Sequence, residues 1–278
     1  MWVEPRDAAT VMLVRDTPDL HVFMLRRSPR SAFVAGAYVF PGGAVDDEDA
    51  EPAMLRRCHG RDPADADRML ATPGALRFWV AAIRESFEEA GVLLARDGAG
   101  NPVDVDAPGV AEALEADRLG LLARERSFAD VLDGHGAVLD AGALAPIGHW
   151  ITPAPAPRRY DTWFFVAPAP EGHVYEHDAD ETVDSVWMRP ADALAAARDH
   201  RIDLIYPTYR SMQTLAAFPN TEALFDAVDD VWRDDPEPMR TVDRGQGWML
   251  NLAIVDDAAL EQDALDHAAF TVARPGRA

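Results

Sequence analysis

The stretch RFWVAAIRESFEEAGV, residues 77–92, predicts the helix around which the chain is organised. At about 100° per residue, its apolar side chains fall on one side of that helix. Glu85, Glu88 and Glu89 fall on the opposite side at spacings i, i+3 and i+4, so their carboxylates converge. Gly91 is suited to end the helix. Because three like charges on one face repel each other, we expect a cation there, and oxygen ligands favour Mg²⁺ or Mn²⁺.

The composition is that of a globular protein, with 48% hydrophobic residues in a chain of 278. No run of about 18 apolar residues, the length that a membrane span needs, is present. The N-terminal residues lack the basic and apolar regions of a signal peptide. Cys58 is the single cysteine. A single cysteine rules out an internal disulfide and a cysteine-based zinc site, and it favours a cytoplasmic location.

The charge balance limits the classes of partner. The formal net charge is −22, which repels nucleic acids, anionic membranes and anionic small molecules. An anionic small substrate then needs a local cationic pocket or a metal. All 26 basic residues are arginines, so arginine and metal must take the roles that lysine has in many phosphate sites.

Strands and helices are mixed along the chain. Apolar runs at 8–15 and 20–27 around the turn sequence DTPD predict a β-hairpin. A short strand at 37–40 is broken by Pro41-Gly42-Gly43, where glycines let backbone approach a ligand closely. Further strands are predicted at 92–95, 144–152, 158–167, 182–188 and 248–255. Further helical segments are predicted at 53–57, 64–70, 110–132, 190–198, 207–218 and 221–232, and the region 110–132 can consist of two segments that meet near Ser127. The absence of a regular βαβ alternation favours a mixed sheet flanked by helices.

The context of the acidic helix distinguishes it from a solvated acidic face. The turn Phe40-Pro-Gly-Gly precedes it, Arg84 stands directly before Glu85, and Gly91-Val92 closes it. Residues 84–92, RESFEEAGV, resemble the end of the Nudix box, with Ser86 where that family usually has an aliphatic residue. The resemblance implies an α/β fold: a Nudix α/β/α sandwich with a mixed sheet, an insertion inside the box and a helical C-terminal extension.

The first half of the box lies far from the second. The Glu that usually follows the glycines falls on Asp49, and residues 50–83 form a much longer connection than the family usually has. This split is similar to that of the peroxisomal coenzyme A diphosphatases. Residues 25–43 also resemble a coenzyme A-associated signature, although Ala32 stands at the position of its second arginine. We expect a hydrolase domain at 1–235, with an insertion at 50–76 and a helical loop region at 97–140, and an extension at 236–278 packed on it.

The resemblance also implies roles for the acidic residues. Glu88 and Glu89 are expected to bind the metal together with the carbonyl of Gly43, while Glu85 is either a further ligand or the general base. Arg84 is expected to orient a glutamate through a bidentate pair. Glu181 is the expected further acid from a distal loop; the alternative is an acidic surface loop.

Four arginines are candidates for binding substrate phosphates. Arg158 and Arg159 are adjacent at the start of a predicted strand, so their side chains point to opposite faces and one is expected to reach the site. Arg27 and Arg30 are the other two. For each of the four, a surface ion pair is the alternative in so acidic a protein.

The predicted activity is Mg²⁺- or Mn²⁺-dependent hydrolysis of a nucleoside diphosphate derivative. Coenzyme A or an acyl-coenzyme A, cut into 3′,5′-ADP and a phosphopantetheine, is the preferred substrate. ADP-ribose, NADH or a dinucleoside polyphosphate is the alternative. A different class, a non-catalytic nucleotide-binding regulatory module, is expected to have lost carboxylates that are all present here. The sequence leaves a homodimer open as an alternative to a monomer.

Overall fold

A mixed β-sheet of nine strands forms the centre of the molecule. The computed structural model describes residues 3–30, 35–152, 156–173, 175, 182–234, 239–243 and 248–252. The strand order is β10-β11-β7-β8-β1-β2-β3, with β4 paired to β1 and β9 paired to β2. The strands are β1 (Arg6–Asp16), β2 (Leu20–Arg27), β3 (Tyr38–Val39), β4 (Gly42–Ala44), β7 (Ala145–Ile151), β8 (Tyr160–Pro168), β9 (Thr182–Met188), β10 (Met239–Asp243) and β11 (Trp248–Leu252), while β5 (Ala95–Arg96) and β6 (Val138–Leu139) form a separate pair.

The predicted hairpin is present and its first strand is central to the sheet. β1 runs antiparallel to β2 and parallel to β8. The glycine turn was predicted only to end the strand that precedes it. In the structure it also forms a strand of its own, β4, which pairs with the start of β1. Glycine permits this approach: a Cβ at Gly42 would lie 2.4 Å from the carbonyl oxygen of Ala9. The turn is thereby held against the middle of the sheet.

Eight helices are described. They are α1 (Pro52–Leu55), α2 (Pro63–Leu70), α3 (Leu76–Ala90), α4 (Val110–Leu122), α5 (Phe128–Gly134), α6 (Pro190–Arg198), α7 (Tyr206–Leu215) and α8 (Thr221–Asp234). The predicted acidic helix is α3, and Gly91 ends it in the left-handed conformation, with φ of 68°. Ser127 caps α5 by accepting from the N–H of Asp130, which divides the predicted helical region into α4 and α5.

Two apolar clusters cover the two faces of the sheet. Alternate residues of each strand point to opposite faces. Val11 and Phe165 belong to the cluster that includes the apolar side of α3, whereas Met12 and Phe164 belong to the cluster shared with α6, α7 and α8. The predicted sandwich of a mixed sheet between helical layers is therefore confirmed.

The connections differ from the predictions in two places. The strand predicted at 92–95 is only Ala95–Arg96, because Val92, Leu93 and Leu94 are buried in the core beyond the end of α3. The described part of the C-terminal extension continues the sheet, since β11 runs antiparallel to β7. The predicted C-terminal helices are α6, α7 and α8. The described part of the extension, β10 and β11, follows them in sequence and lengthens the sheet. No helix in the described ranges is long and apolar enough to cross a membrane.

Candidate active site

A cavity of about 740 Å³ opens where β1 begins and β4 pairs with it. The second half of α3 contributes acidic residues to its wall, the sheet contributes aromatic and hydroxyl side chains, and the start of α7 closes another side. The residues that line the cavity include Arg27, Gly42, Gly43, Asp46, Arg84, Glu85, Glu88, Glu89, Trp150, Arg158, Tyr160, Thr162, Ile205, Pro207 and Thr208. The three predicted carboxylates therefore face one common space.

Arg84 connects the carboxylates to one another. Its side chain is only 7% exposed. Its Nη1 donates to Glu85 Oε1 at 2.9 Å and to Glu88 Oε1 at 3.0 Å, and its Nη2 donates to the carbonyl of Ala44 at 2.9 Å. Burial alone would lower the pKa of Arg84, but the hydrogen bond to Asp49 and the surrounding carboxylates raise it. The guanidinium is thus a permanent charge that fixes the positions of two glutamates.

Asp49 holds the other side of the same guanidinium. It is 1% exposed and accepts from Nε and Nη2 of Arg84, both at 2.9 Å. It also accepts from the backbone N–H of Asp46 at 2.8 Å. Asp49 occupies the position of the usual first Glu of the box, and the sequence assigned it no part in the site. The sequence did contain a signal for this role, because Asp49 stands at the distance from Gly43 at which the family usually has a Glu.

Burial changes the ionisation of the two glutamates that Arg84 contacts. Burial raises the pKa of Glu85 from its ordinary 4.5 to about 7, although the nearby Arg84 acts in the opposite direction. Burial raises the pKa of Glu88 as well, again against the effect of Arg84. A site that makes carboxylates costly to ionise favours a further cation.

Glu89 and Gly43 link α3 to the glycine turn. Glu89 is 8% exposed, and its Oε2 accepts from the N–H of Gly42 at 2.9 Å. A Cβ at Gly43 would lie 2.4 Å from Glu85 Oε1. A side chain at position 43 would therefore displace the Glu85 carboxylate.

The oxygen atoms of the three carboxylates and of the Gly43 carbonyl are suitable ligands for a hard divalent cation. In this structure the carboxylates accept hydrogen bonds from N–H groups. Among the described residues, no three acidic, histidine or cysteine side chains are already grouped as metal ligands. Glu85 and Glu88 turn toward Arg84, and Glu89 turns toward the N–H of Gly42. All three carboxylates nevertheless line one cavity with the backbone of Gly43. Carboxylate and carbonyl oxygens are the ligands that Mg²⁺ and Mn²⁺ prefer.

The four candidate arginines occupy different places. Arg27 and Arg158 line the cavity. Arg158 is exposed and makes no side-chain hydrogen bond within the described residues. Arg159 is 7% exposed and donates to the carbonyls of Thr152 at 2.9 Å and Val3 at 2.8 Å. Arg30 is exposed and is not part of the cavity wall. The structure brings Arg27 and Arg158 together with the carboxylates and leaves Arg30 and Arg159 outside.

Other residues complete the comparison with the sequence. Glu181 lies outside the described residues. None of residues 50–76, which form the insertion, lines the cavity; Arg57 instead pairs with Asp133 and the N–H of His59 donates to Leu139. Thr208 and Trp150 on the wall were not singled out, because they carry no motif and reach the site only through the packing of α7 and β7.

Comparisons with known proteins agree with these observations. The family model of the NUDT19 Nudix domain matches residues 51–215. The acyl-coenzyme A diphosphatase NUDT19 of Gallus gallus is 30% identical over 265 residues, covering 79% of this chain and 70% of that protein. The same-named protein of Homo sapiens is 27% identical over 253 residues, covering 80% and 68%. The crystal structure of a NUDIX hydrolase from Alicyclobacillus acidocaldarius has a TM-score of 0.65 at 29% identity, covering 81% of this chain and 97% of that one.

Proposed function

The chain belongs to the NUDT19 family of Nudix hydrolases, enzymes that act on phosphorus-containing acid anhydrides, and on that premise we propose that its substrate is coenzyme A or an acyl-coenzyme A. The predicted family, fold and reaction type are confirmed by the family match and the relatives. The proposed products are 3′,5′-ADP and a phosphopantetheine, acylated when the substrate is. The proposed cofactor is Mg²⁺ or Mn²⁺.

The observation that carries this proposal is the meeting of Glu85, Glu88 and Glu89 with Arg27 and Arg158 on one cavity. Its volume of about 740 Å³ lies within the usual range for small-molecule sites. A diphosphate at the carboxylates needs positive charge, and Arg84 is already paired with acidic residues. Arg27 and Arg158 are the other arginines that line the described wall of the cavity. The names of the relatives from Gallus gallus and Homo sapiens support coenzyme A in particular.

The carboxylates of Glu88 and Glu89 and the carbonyl of Gly43 would hold the metal, with Glu85 as a further ligand or as the base. The metal, when bound, neutralises the diphosphate and makes its bound water a better nucleophile. Arg84 fixes Glu85 and Glu88 through hydrogen bonds of 2.9 and 3.0 Å. Glu85 has a pKa raised to about 7 by burial, which suits a group that accepts a proton near neutral pH.

Two aromatic residues of the sheet are candidates for contact with the adenine. Tyr160 and Trp150 line the cavity, and flat rings offer a stacking surface to a base. Trp163, another aromatic residue of β8, points to the opposite face of the sheet. It belongs to the core and stacks on His149 with a centroid distance of 4.1 Å. Tyr160, and not Trp163, is therefore the residue of this pair that a base in the cavity could contact.

A substrate panel tests the proposal. The purified chain is incubated with Mg²⁺ or Mn²⁺ and coenzyme A, acetyl-coenzyme A, ADP-ribose, NADH and diadenosine tetraphosphate, and the products are separated by chromatography. We expect the highest kcat/KM for a coenzyme A thioester or coenzyme A itself, with 3′,5′-ADP as one product. Faster cleavage of ADP-ribose, NADH or the dinucleotide would replace the proposed substrate. Binding without turnover of any compound would favour the regulatory module.

Three further expectations stay proposals. We propose that residues 1–235 form the hydrolase domain with 236–278 packed on it. The single cysteine supports a cytoplasmic location. A homodimer is the alternative to a monomer, and light scattering of the purified chain distinguishes them.

A further inference from the structure

The first turn of α7 reaches the cavity, where it contributes Ile205, Pro207 and Thr208. The residue before the helix is Ile205, whose side chain cannot cap it. The N–H of Tyr209 donates to the carbonyl of Ile205 at 2.9 Å, and Pro207 has no N–H, so the N–H of Thr208 lies ahead of the first hydrogen bond inside the helix. The positive end of the helix dipole is thereby directed to this side of the cavity, which favours an anion.

An independent observation concerns the side chain of Thr208. The residue is 2% exposed and lines the cavity, and its hydroxyl has no hydrogen-bond partner within the described residues. Ser211, in the next turn, behaves differently because its hydroxyl donates to the carbonyl of Pro207 at 2.9 Å. The Thr208 hydroxyl is not one of the enclosed side-chain atoms that lack a partner, so it is open to the cavity that the residue lines. A ligand in the cavity would supply the acceptor that Thr208 lacks.

Charge is distributed unevenly around this part of the wall. β3 lies between the end of β2 and the segment before α7: the N–H of Arg27 donates to Ala37 and the N–H of Tyr38 donates to Asp203, both at 2.9 Å. Arg27 is therefore about two strand spacings, roughly 10 Å, from the chain that enters α7. The acidic wall residues come from α3 and from Asp46. Asp203 is exposed and not part of the wall, so it does not occupy the start of the helix.

We propose that Thr208, the first turn of α7 and Arg27 form a subsite for a phosphate monoester of the substrate, separate from the carboxylates that hold the diphosphate. The proposal rests on the proposed function. Coenzyme A carries such a group on its ribose, whereas ADP-ribose, NADH and dinucleoside polyphosphates do not. The subsite would thus be the feature of the cavity that selects coenzyme A among diphosphate substrates.

Kinetics with a matched pair of substrates test the subsite. Coenzyme A and dephospho-coenzyme A differ only in the 3′-phosphate, so the ratio of their kcat/KM values measures what that group contributes. We expect a ratio of about 10 or more for the unchanged chain, because hydrogen bonds to a charged group are strong. Thr208→Val should reduce the ratio toward one, and Thr208→Ser should restore it. Thr162→Val, on the β8 wall, should keep the ratio. An unchanged ratio in Thr208→Val overturns the subsite.

Binding of the nucleotide fragments separates the subsite from the proposed function. Calorimetry in EDTA compares 3′,5′-ADP with 5′-AMP for the unchanged chain and for Thr208→Val, with thermal unfolding as the check on folding. Tighter binding of 3′,5′-ADP that depends on Thr208 supports the subsite even if coenzyme A is not cleaved, in which case only the proposed function fails. Cleavage of coenzyme A without a Thr208-dependent preference for 3′,5′-ADP overturns the subsite and leaves the function intact.

Discussion

Arg84 donates two hydrogen bonds of 2.9 Å to the carboxylate of Asp49, and this pair joins two parts of the site that the insertion separates in sequence. Asp49 ends the segment that follows the glycine turn, and Arg84 begins the acidic half of α3. Both side chains are buried, at 1% and 7% exposure. Since the same guanidinium contacts Glu85 and Glu88, Asp49 acts on the carboxylates through Arg84 and is a positioning residue.

Asp49→Asn tests that role. The amide keeps the size of the side chain but removes the charge that opposes Arg84, so Arg84 is free to shift toward Glu85 and Glu88. We expect kcat to fall by about 10- to 100-fold, as for other residues that orient metal ligands. The Mg²⁺ concentration for half-maximal rate should rise, while KM changes less. Breaking a buried pair should also lower the free energy of unfolding by up to about 3 kcal/mol.

Asp65→Asn is the matched control. Asp65 lies in the insertion and pairs with Arg68 at 2.7 Å, but both side chains are well exposed, so solvent screens the pair and it contributes little to stability. We expect its kcat and Mg²⁺ dependence to equal those of the unchanged chain. A loss of stability in Asp49→Asn with unchanged Mg²⁺ dependence would reduce Asp49 to a purely structural role.

Glu88→Gln tests the central carboxylate. Glu88 lines the cavity and is oriented by Arg84, and the amide cannot replace its charge toward a metal. We expect kcat to fall by several orders of magnitude, because the metal carries the activation of water and substrate. Glu48→Gln, a change on an exposed neighbour of Asp49, serves as the control. Activity within a few fold of the unchanged chain would contradict the assignment of Glu88, provided that circular dichroism shows a folded protein.

The stability of the metal-free protein should depend on Glu85. Its pKa is about 7 in the folded chain and 4.5 ordinarily, so the folded state binds its proton more tightly. The stability contributed by Glu85 is therefore fully present below pH 4.5 and is lost as pH rises through 7. Glu88, whose pKa is also raised, acts in the same direction. We expect the Tm measured in EDTA to fall between pH 5 and 7.5, and Glu85→Gln to reduce that fall.

Added Mg²⁺ should reverse the trend, since the ion binds the ionised carboxylates. The increase in Tm caused by Mg²⁺ should be larger at pH 7.5 than at pH 5.5. The comparison between the unchanged chain and Glu85→Gln isolates this group from the other carboxylates, which titrate in both proteins. An equal pH dependence of Tm in the two proteins would show that Glu85 does not carry the raised pKa.

Local patterns allowed the acidic helix and the hairpin to be predicted. The spacing of the glutamates and Gly91 determines α3 within one stretch, and two apolar runs around one turn determine β1 and β2. The strand predicted at 92–95 was wrong over most of its length. Val92, Leu93 and Leu94 are apolar because they enter the core after α3, and they are not part of a strand. A short apolar run has the same composition in either case.

The remaining features of the site depend on contacts between distant parts of the chain. Thr208 reaches the cavity because the segment that enters α7 is hydrogen-bonded to β3, and no local pattern around Thr208 indicates that position. Arg158 and Arg159 are the same residue type and both precede β8. Only Arg159 is buried, because its guanidinium donates to the carbonyls of Val3 and Thr152. Such placements require the sheet to be assembled first.

Gly43→Ala tests whether the glycine turn shapes the carboxylate site directly. The added methyl group would lie 2.4 Å from Glu85 Oε1, so the carboxylate must move away from its hydrogen bond with Arg84. A displacement of this size should lower kcat by about 100-fold. Gly98→Ala is the control, since a Cβ there meets no atom within 4 Å. Steady-state kinetics at saturating Mg²⁺ measure both variants. If Gly43→Ala keeps full activity with an unchanged Tm, Glu85 can be displaced without loss, and its place among the metal ligands or as the base must be given up.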